Sequence, residues 1–120
     1  MQHNKILEFN PSIFSKISIN GRVTFEDILI IEGDFNGNIE GKDKSILTIS
    51  KGSSVEGSVH AYEVNVEGFF KGKIFAQIVH IHPNGSCNGE ITCSQLTVHD
   101  NAKMDSKIQT VWNVFTKVLN

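Results

Sequence analysis

One short pattern recurs along most of this chain, and any fold must satisfy every copy of it at once. The unit reads apolar-x-apolar, a short turn, then apolar-x-Gly-x-apolar-x-small. The copies begin at Leu29-x-Ile31, Leu47-x-Ile49, Val64-x-Val66, Val79-x-Ile81 and Leu96-x-Val98. Their second halves are Phe35-x-Gly37-x-Ile39, Val55-x-Gly57-x-Val59, Phe70-x-Gly72-x-Ile74, Cys87-x-Gly89-x-Ile91 and Met104-x-Ser106-x-Ile108. A partial copy, Ile19-x-Gly21-x-Val23-x-Phe25, precedes them. The marker positions 21, 37, 57, 72, 89 and 106 are separated by 16, 20, 15, 17 and 17 residues. The differences fall in turns such as Lys42-Asp43-Lys44-Ser45, never inside the apolar alternation.

Alternation of period two marks strands with one buried face. A unit of this length buries almost nothing alone, whereas stacked units pair equivalent strands about 4.8 Å apart. A repeat whose length varies only in turns is therefore read as a coiled solenoid. Stacking predicts inward columns Leu29/Leu47/Val64/Val79/Leu96, Ile31/Ile49/Val66/Ile81/Val98 and Ile39/Val59/Ile74/Ile91/Ile108. The β-branched residues prominent in them suit packed strands. Gly41, Ala61, Ala76 and Cys93 form a small-residue column expected at a tight corner, and Cys87 and Cys93 are read as core residues. Outward, Glu56 is predicted beside Lys71, and Lys73, Glu90 and Lys107 alternate in sign up one column. The turns Lys51-Gly52-Ser53-Ser54 and Pro83-Asn84-Gly85-Ser86 have turn chemistry.

Composition narrows the function. With 11 Lys/Arg against 13 Asp/Glu in 120 residues, the chain lacks the basic footprint of a nucleic-acid binder. Residues 21–102 hold six Lys/Arg against eleven Asp/Glu, so the body is acidic. The two cysteines match neither a metal knuckle nor a Cys-x-x-Cys pair, which points to a reduced, cytoplasmic protein. The start, Met1-Gln2-His3-Asn4, lacks the apolar core of a signal peptide, and no stretch approaches about 20 apolar residues. No nucleophile elbow or phosphate loop occurs. The chain is expected to be no enzyme, with no catalytic, cofactor or metal residues and no small-molecule substrate. Metal binding is weighed only for the outward histidines: His80 and His82 share a strand face, and His99 lies one coil above His82. Solvated surface histidines are the preferred reading.

The segments Ile31-Glu32-Gly33-Asp34-Phe35-Asn36-Gly37-Asn38-Ile39 and Val66-Glu67-Gly68-Phe69-Phe70-Lys71-Gly72-Lys73-Ile74 resemble the bactofilins, bacterial polymer-forming cytoskeletal proteins. The resemblance covers roughly residues 17–110. It implies an all-β, single-domain, right-handed parallel β-helix of about six coils with short terminal tails. It also implies nucleotide-independent filaments grown end to end, like pole on like pole, and a role in cell shape or in positioning cell-wall enzymes. Many members begin with a hydrophobic peptide led by Met-Phe. Here the nearest match, Phe14-Ser15-Lys16, is internal. The expected place is the cytoplasm, with the inner face of the cell membrane and cell-wall enzymes as further contacts.

The predicted organisation is an N-terminal tail over 1–16, a β-helix over 17–110 and an apolar segment over 111–120, either helix or strand, that serves as a cap over the last coil or as a contact to another copy. A solenoid ends in unpaired strand edges above an apolar cross-section, and such edges pair with another chain unless covered. No polar cap is evident. The self-association residues expected are Ile17 and Ile19 at one pole and Trp112, Phe115 and Leu119 at the other. Two rival readings are a non-polymerising adaptor that recruits a cell-wall hydrolase and, more remotely, a left-handed β-helix transferase or metal-dependent enzyme. The latter predicts a strict six-residue period, which these units break.

Overall fold

The computed structural model describes the backbone of residues 6–9 and 12–119, and the side chains of 20–105, 107 and 108. Every regular element among them is a strand: β1 (Ile6–Phe9), β2 (Ser12–Phe25), β3 (Ile28–Gly41), β4 (Ile46–Ile49), β5 (Ser54–His60), β6 (Glu63–Val66), β7 (Phe69–Phe75), β8 (Ile78–Ile81), β9 (Ser86–His99) and β10 (Lys103–Leu119). All pairings are parallel, and each strand pairs with its equivalent in the neighbouring coil. The result is a parallel β-solenoid of about five turns, 44 Å along its longest axis.

The register reproduces the repeat. Leu29 pairs with Leu47, Leu47 with Val64, Val64 with Val79, and Val79 with Leu96. All five are buried, as are Ile31, Ile49, Val66, Ile81, Ile39, Val59, Ile74 and Ile91. Burying an aliphatic side chain of this size contributes roughly 1.5–3 kcal/mol, so the columns carry the fold. Both cysteines are in the core, reduced. Two column members are less covered than predicted. Val98 is half-buried, and Ile108 is exposed because it is the last rung of its column.

The marker glycines stack on one another: Gly21 on Gly37, Gly37 on Gly57, Gly57 on Gly72, Gly72 on Gly89. They share a positive φ between 131° and 142°. A Cβ at Gly72 would fall on the Gly57 carbonyl oxygen, far inside van der Waals contact. The glycine is thus needed for the approach of one coil to the next. At Gly41 the cause is two neighbours: a Cβ there would fall on the Ser45 side chain, and the Phe25 ring of the coil beneath comes within 2.8 Å of it.

Two buried serines complete the turns. Ser53 Oγ accepts a hydrogen bond from the Gly33 N–H and donates one to the Ile31 carbonyl, each at 3.0 Å. Ser45 Oγ accepts from the Tyr62 N–H at 3.4 Å. Where the chain leaves the sheet, Asp27, Asp43, Asn84 and Asn101 take positive φ, a conformation that Asp and Asn tolerate better than most residues.

Strand pairing also runs beyond residues 17–110. Ile6–Phe9 lie against Arg22–Phe25, and Ser12–Ser15 against Leu29–Glu32. Of the two conformations expected for 111–119, the structure takes the strand, with Phe115–Leu119 paired to Gln95–His99. Edge strands seek partners, and after a register shift between Thr110 and Phe115 the segment rejoins the ladder on β9.

Candidate functional site: poles and outward faces

Among the described residues, β1 pairs only with β2 and β10 only with β9. One edge of each is therefore open, which leaves backbone N–H and C=O groups at both poles of the solenoid. At the β10 pole, Ile108 ends the column that runs Ile39/Val59/Ile74/Ile91. Those four are at most 1 % exposed, whereas Ile108 is 37 % exposed. The pole is thus an apolar rung bordered by an unpaired strand edge, the combination that favours addition of another strand.

The five residues predicted for self-association belong to β2 and β10. Ile17 and Ile19 are in β2, in register with Gly33 and Phe35. Phe115 and Leu119 are in β10, in register with Gln95 and His99. Trp112 falls where β10 shifts register, between Thr110 opposite Cys93 and Phe115 opposite Gln95. Their side chains lie outside the described residues. Ile108 was predicted as a core column member; its position as the last rung is what turns it into a surface residue.

The histidine face is a shallow hollow near this pole, lined by Glu63, Asn65, His80, His82, Thr97 and His99. His82 and His99 stack with ring centroids 5.0 Å apart and planes 12° apart. His82 Nε2 is 3.0 Å from Asn65 Oδ1, and the Asn65 amide donates to Glu63 Oε2 at 3.2 Å. His80 Nε2 stands 4.0 Å from the same carboxylate oxygen. Partial burial holds the His82 pKa below its usual 6.5, with His99 and His80 adding to the effect and Glu67 and Glu63 opposing it. Among the described residues, no group of three or more His, Cys, Asp or Glu is placed to hold a metal ion. Parallel stacking faces ring against ring instead of converging lone pairs on one point. Burial raises the Cys93 thiol pKa above 9.0, partly offset by a backbone hydrogen bond at Gln95, so the thiol stays protonated at neutral pH.

The opposite outward face, formed by β3, β5, β7, β9 and β10, holds the charge columns read from the repeat. Glu56 is in register with Lys71, Lys73 with Glu90, and Glu90 with Lys107. Phe69 and Phe75, at the two ends of β7, are 39 % and 43 % exposed. Their exposure has no counterpart in the predicted columns, though the unpaired outward parity of both positions was visible in the repeat. His60 stacks on the Phe75 ring with centroids 4.8 Å apart. No described helix is long and apolar enough to cross a membrane.

A comparison with curated proteins finds no match, and a comparison with solved structures likewise finds none. A comparison with protein families matches residues 12–109 to the model described as "Bactofilin: Polymer-forming cytoskeletal". The match spans the stacked coils from the start of β2 to within β10. With the glycine-marked repeat, the parallel solenoid and a family match over most of its length, this chain belongs to the bactofilins, a family of polymer-forming cytoskeletal proteins.

Proposed function

We propose that the chain is a non-enzymatic scaffold that builds nucleotide-independent filaments by stacking solenoids end to end. The observation that carries this reading is the β10 pole: an open strand edge beside Ile108, the exposed last member of an otherwise buried column. A second copy seated there would extend the ladder and cover the rung, each new backbone hydrogen bond contributing about 0.5–1.5 kcal/mol net. Trp112, Phe115 and Leu119 are proposed as contacts at this pole, and Ile17 and Ile19 at the other. Cell shape or the placement of cell-wall enzymes, in the cytoplasm and at the inner membrane face, is the cellular role proposed with it.

The test is electron microscopy of purified protein at neutral pH without nucleotide. Regular filaments are expected. Ile108→Arg should abolish them while leaving the far-ultraviolet circular dichroism spectrum close to that of the starting protein. A wild-type chain that stays monomeric at high micromolar concentration would overturn the proposal and favour an adaptor role.

A further inference from the structure

A pair of histidine rings stands where the last coil meets the one beneath it. The ladder of β8 on β9 ends at Ile81 opposite Val98, and His82 and His99 follow it by one residue. Their rings stack at 5.0 Å, nearly parallel, and the His80 ring lies 6.0 Å from that of His82. On its other side His99 is in register with Leu119, the last residue of β10. The stack therefore joins the coil beneath to the rung on which the terminal strand is seated. Across the following turn, the Asn84 N–H donates to the Asn101 carbonyl at 3.2 Å.

His82 Nε2 carries the hydrogen in the neutral ring, because it faces the Asn65 carbonyl oxygen, while the Asn65 amide donates to Glu63. A second proton goes to Nδ1 and leaves that bond intact, so what it disturbs is the stack. Glu63 and Glu67 approach from the β6 side and His80 from β8. Asp100 follows His99 in the chain, and Lys117 of β10 is in register with Thr97. Among the described residues the sole histidine–carboxylate ion pair is His80–Glu63, so charge on the two stacked rings meets no carboxylate at that distance. Burial already disfavours the charged form of His82, with His99 and His80 adding to it against Glu67 and Glu63. Two unit charges about 5 Å apart shift an equilibrium roughly fourfold in bulk water, and by a few hundredfold at an effective dielectric constant of about 20.

We propose that the His82–His99 stack is an acid-operated latch: charge on both rings opens β9 from the coil beneath at its His99 end, loosens the β10 segment paired there, and so withdraws this pole from assembly. Lower in the same column stand Glu67 and Ser50. Glu67 favours a charged His82, so the coil beneath keeps its hold and the parting falls between His82 and His99. Neutral rings close the latch; it is shut above pH 6.5 and opens as pH falls below that value. The latch itself needs only the stack, whereas its effect on filaments rests on the proposed end-to-end growth.

Hydrogen–deuterium exchange of the full chain at low micromolar concentration, at about pH 7.5 and about pH 5.5 with labelling times scaled for the intrinsic rates, tests the latch. Acid should speed exchange about tenfold in peptides covering 95–102 and leave those covering 46–49 and 64–66 unchanged. In His99→Gln the acid effect should disappear. No change at 95–102, an equal change in all peptides, or an undiminished effect in His99→Gln would each overturn the latch. Electron microscopy at the two pH values tests its consequence. Wild-type filaments should shorten or vanish in acid and return at neutral pH, whereas those of His99→Gln persist. Filaments that survive acid although 95–102 opens would overturn the control of assembly. A latch that opens in a chain forming no filaments at either pH is the separate signature that end-to-end growth itself fails, and the control of assembly falls with it.

Discussion

Gly72→Ala is a demanding perturbation because two independent costs meet at one atom. The backbone at Gly72 has φ +135°, a region that side chains rarely occupy, and the added methyl falls on the Gly57 carbonyl oxygen of the coil below. The strained backbone costs on the order of 1–3 kcal/mol. Overpacking a close-packed site costs about 1–3 kcal/mol more, so the total is about 2–6 kcal/mol. For a chain of this length, at roughly 0.05–0.15 kcal/mol per residue, total stability is about 6–18 kcal/mol. The loss is a third of it. At about 4 °C per kcal/mol, the thermal midpoint should fall by roughly 8–24 °C. Gly52→Ala is the control: its φ is +85°, and a Cβ there would meet nothing within 4 Å. Only backbone strain applies, about 1–2 kcal/mol, or roughly 4–8 °C. Both midpoints would be followed by circular dichroism at one protein concentration, since assembly stabilises the folded state by mass action. Equal losses for the two variants would refute the argument that the missing Cβ sets the spacing between coils.

Ser53→Ala leaves the part-buried Gly33 N–H without its side-chain acceptor, while the Ile31 carbonyl keeps the Ser50 N–H, and should lower stability by about 1 kcal/mol in urea unfolding. His82 favours its neutral form in the folded state, so its contribution is complete above pH 6.5 and declines as pH falls through 6.5 toward the lower folded value. In His82→Gln the loss of stability between pH 7 and pH 5 should be smaller than in the starting protein, as measured by chemical denaturation at each pH. Cys93, 1 % exposed and held protonated by burial, should react with a disulfide reagent at pH 8 at least tenfold more slowly in the folded chain than in urea.

How much was legible beforehand differs by feature. The columns that pass through Leu47 and Ile49 were readable because strand parity has a fixed period of two, and the register of neighbouring copies follows once glycines are aligned. The pairing of Glu56 with Lys71 followed from the same alignment. The histidine stack was placed by spacing alone, but its geometry depended on Asn65, 17 residues before His82, whose amide bridges His82 and Glu63. Ser53 and Ser45 looked like ordinary turn residues. Their burial depends on where the turn of one coil rests on the next, which no local pattern records.

The chain's own residues determined that it must coil. Alternating apolar positions, recurring glycines and length changes confined to turns leave each unit unable to bury its apolar face except against a copy of itself. Tertiary structure decided what happens where the stack stops. Ile108 is identical in pattern to Ile91, yet one is core and the other surface, because burial belongs to the number of coils above a residue and not to the residue itself. The same holds for the segment after Thr110, whose apolar residues suited helix or strand until the open edge of β9 offered a ladder to join.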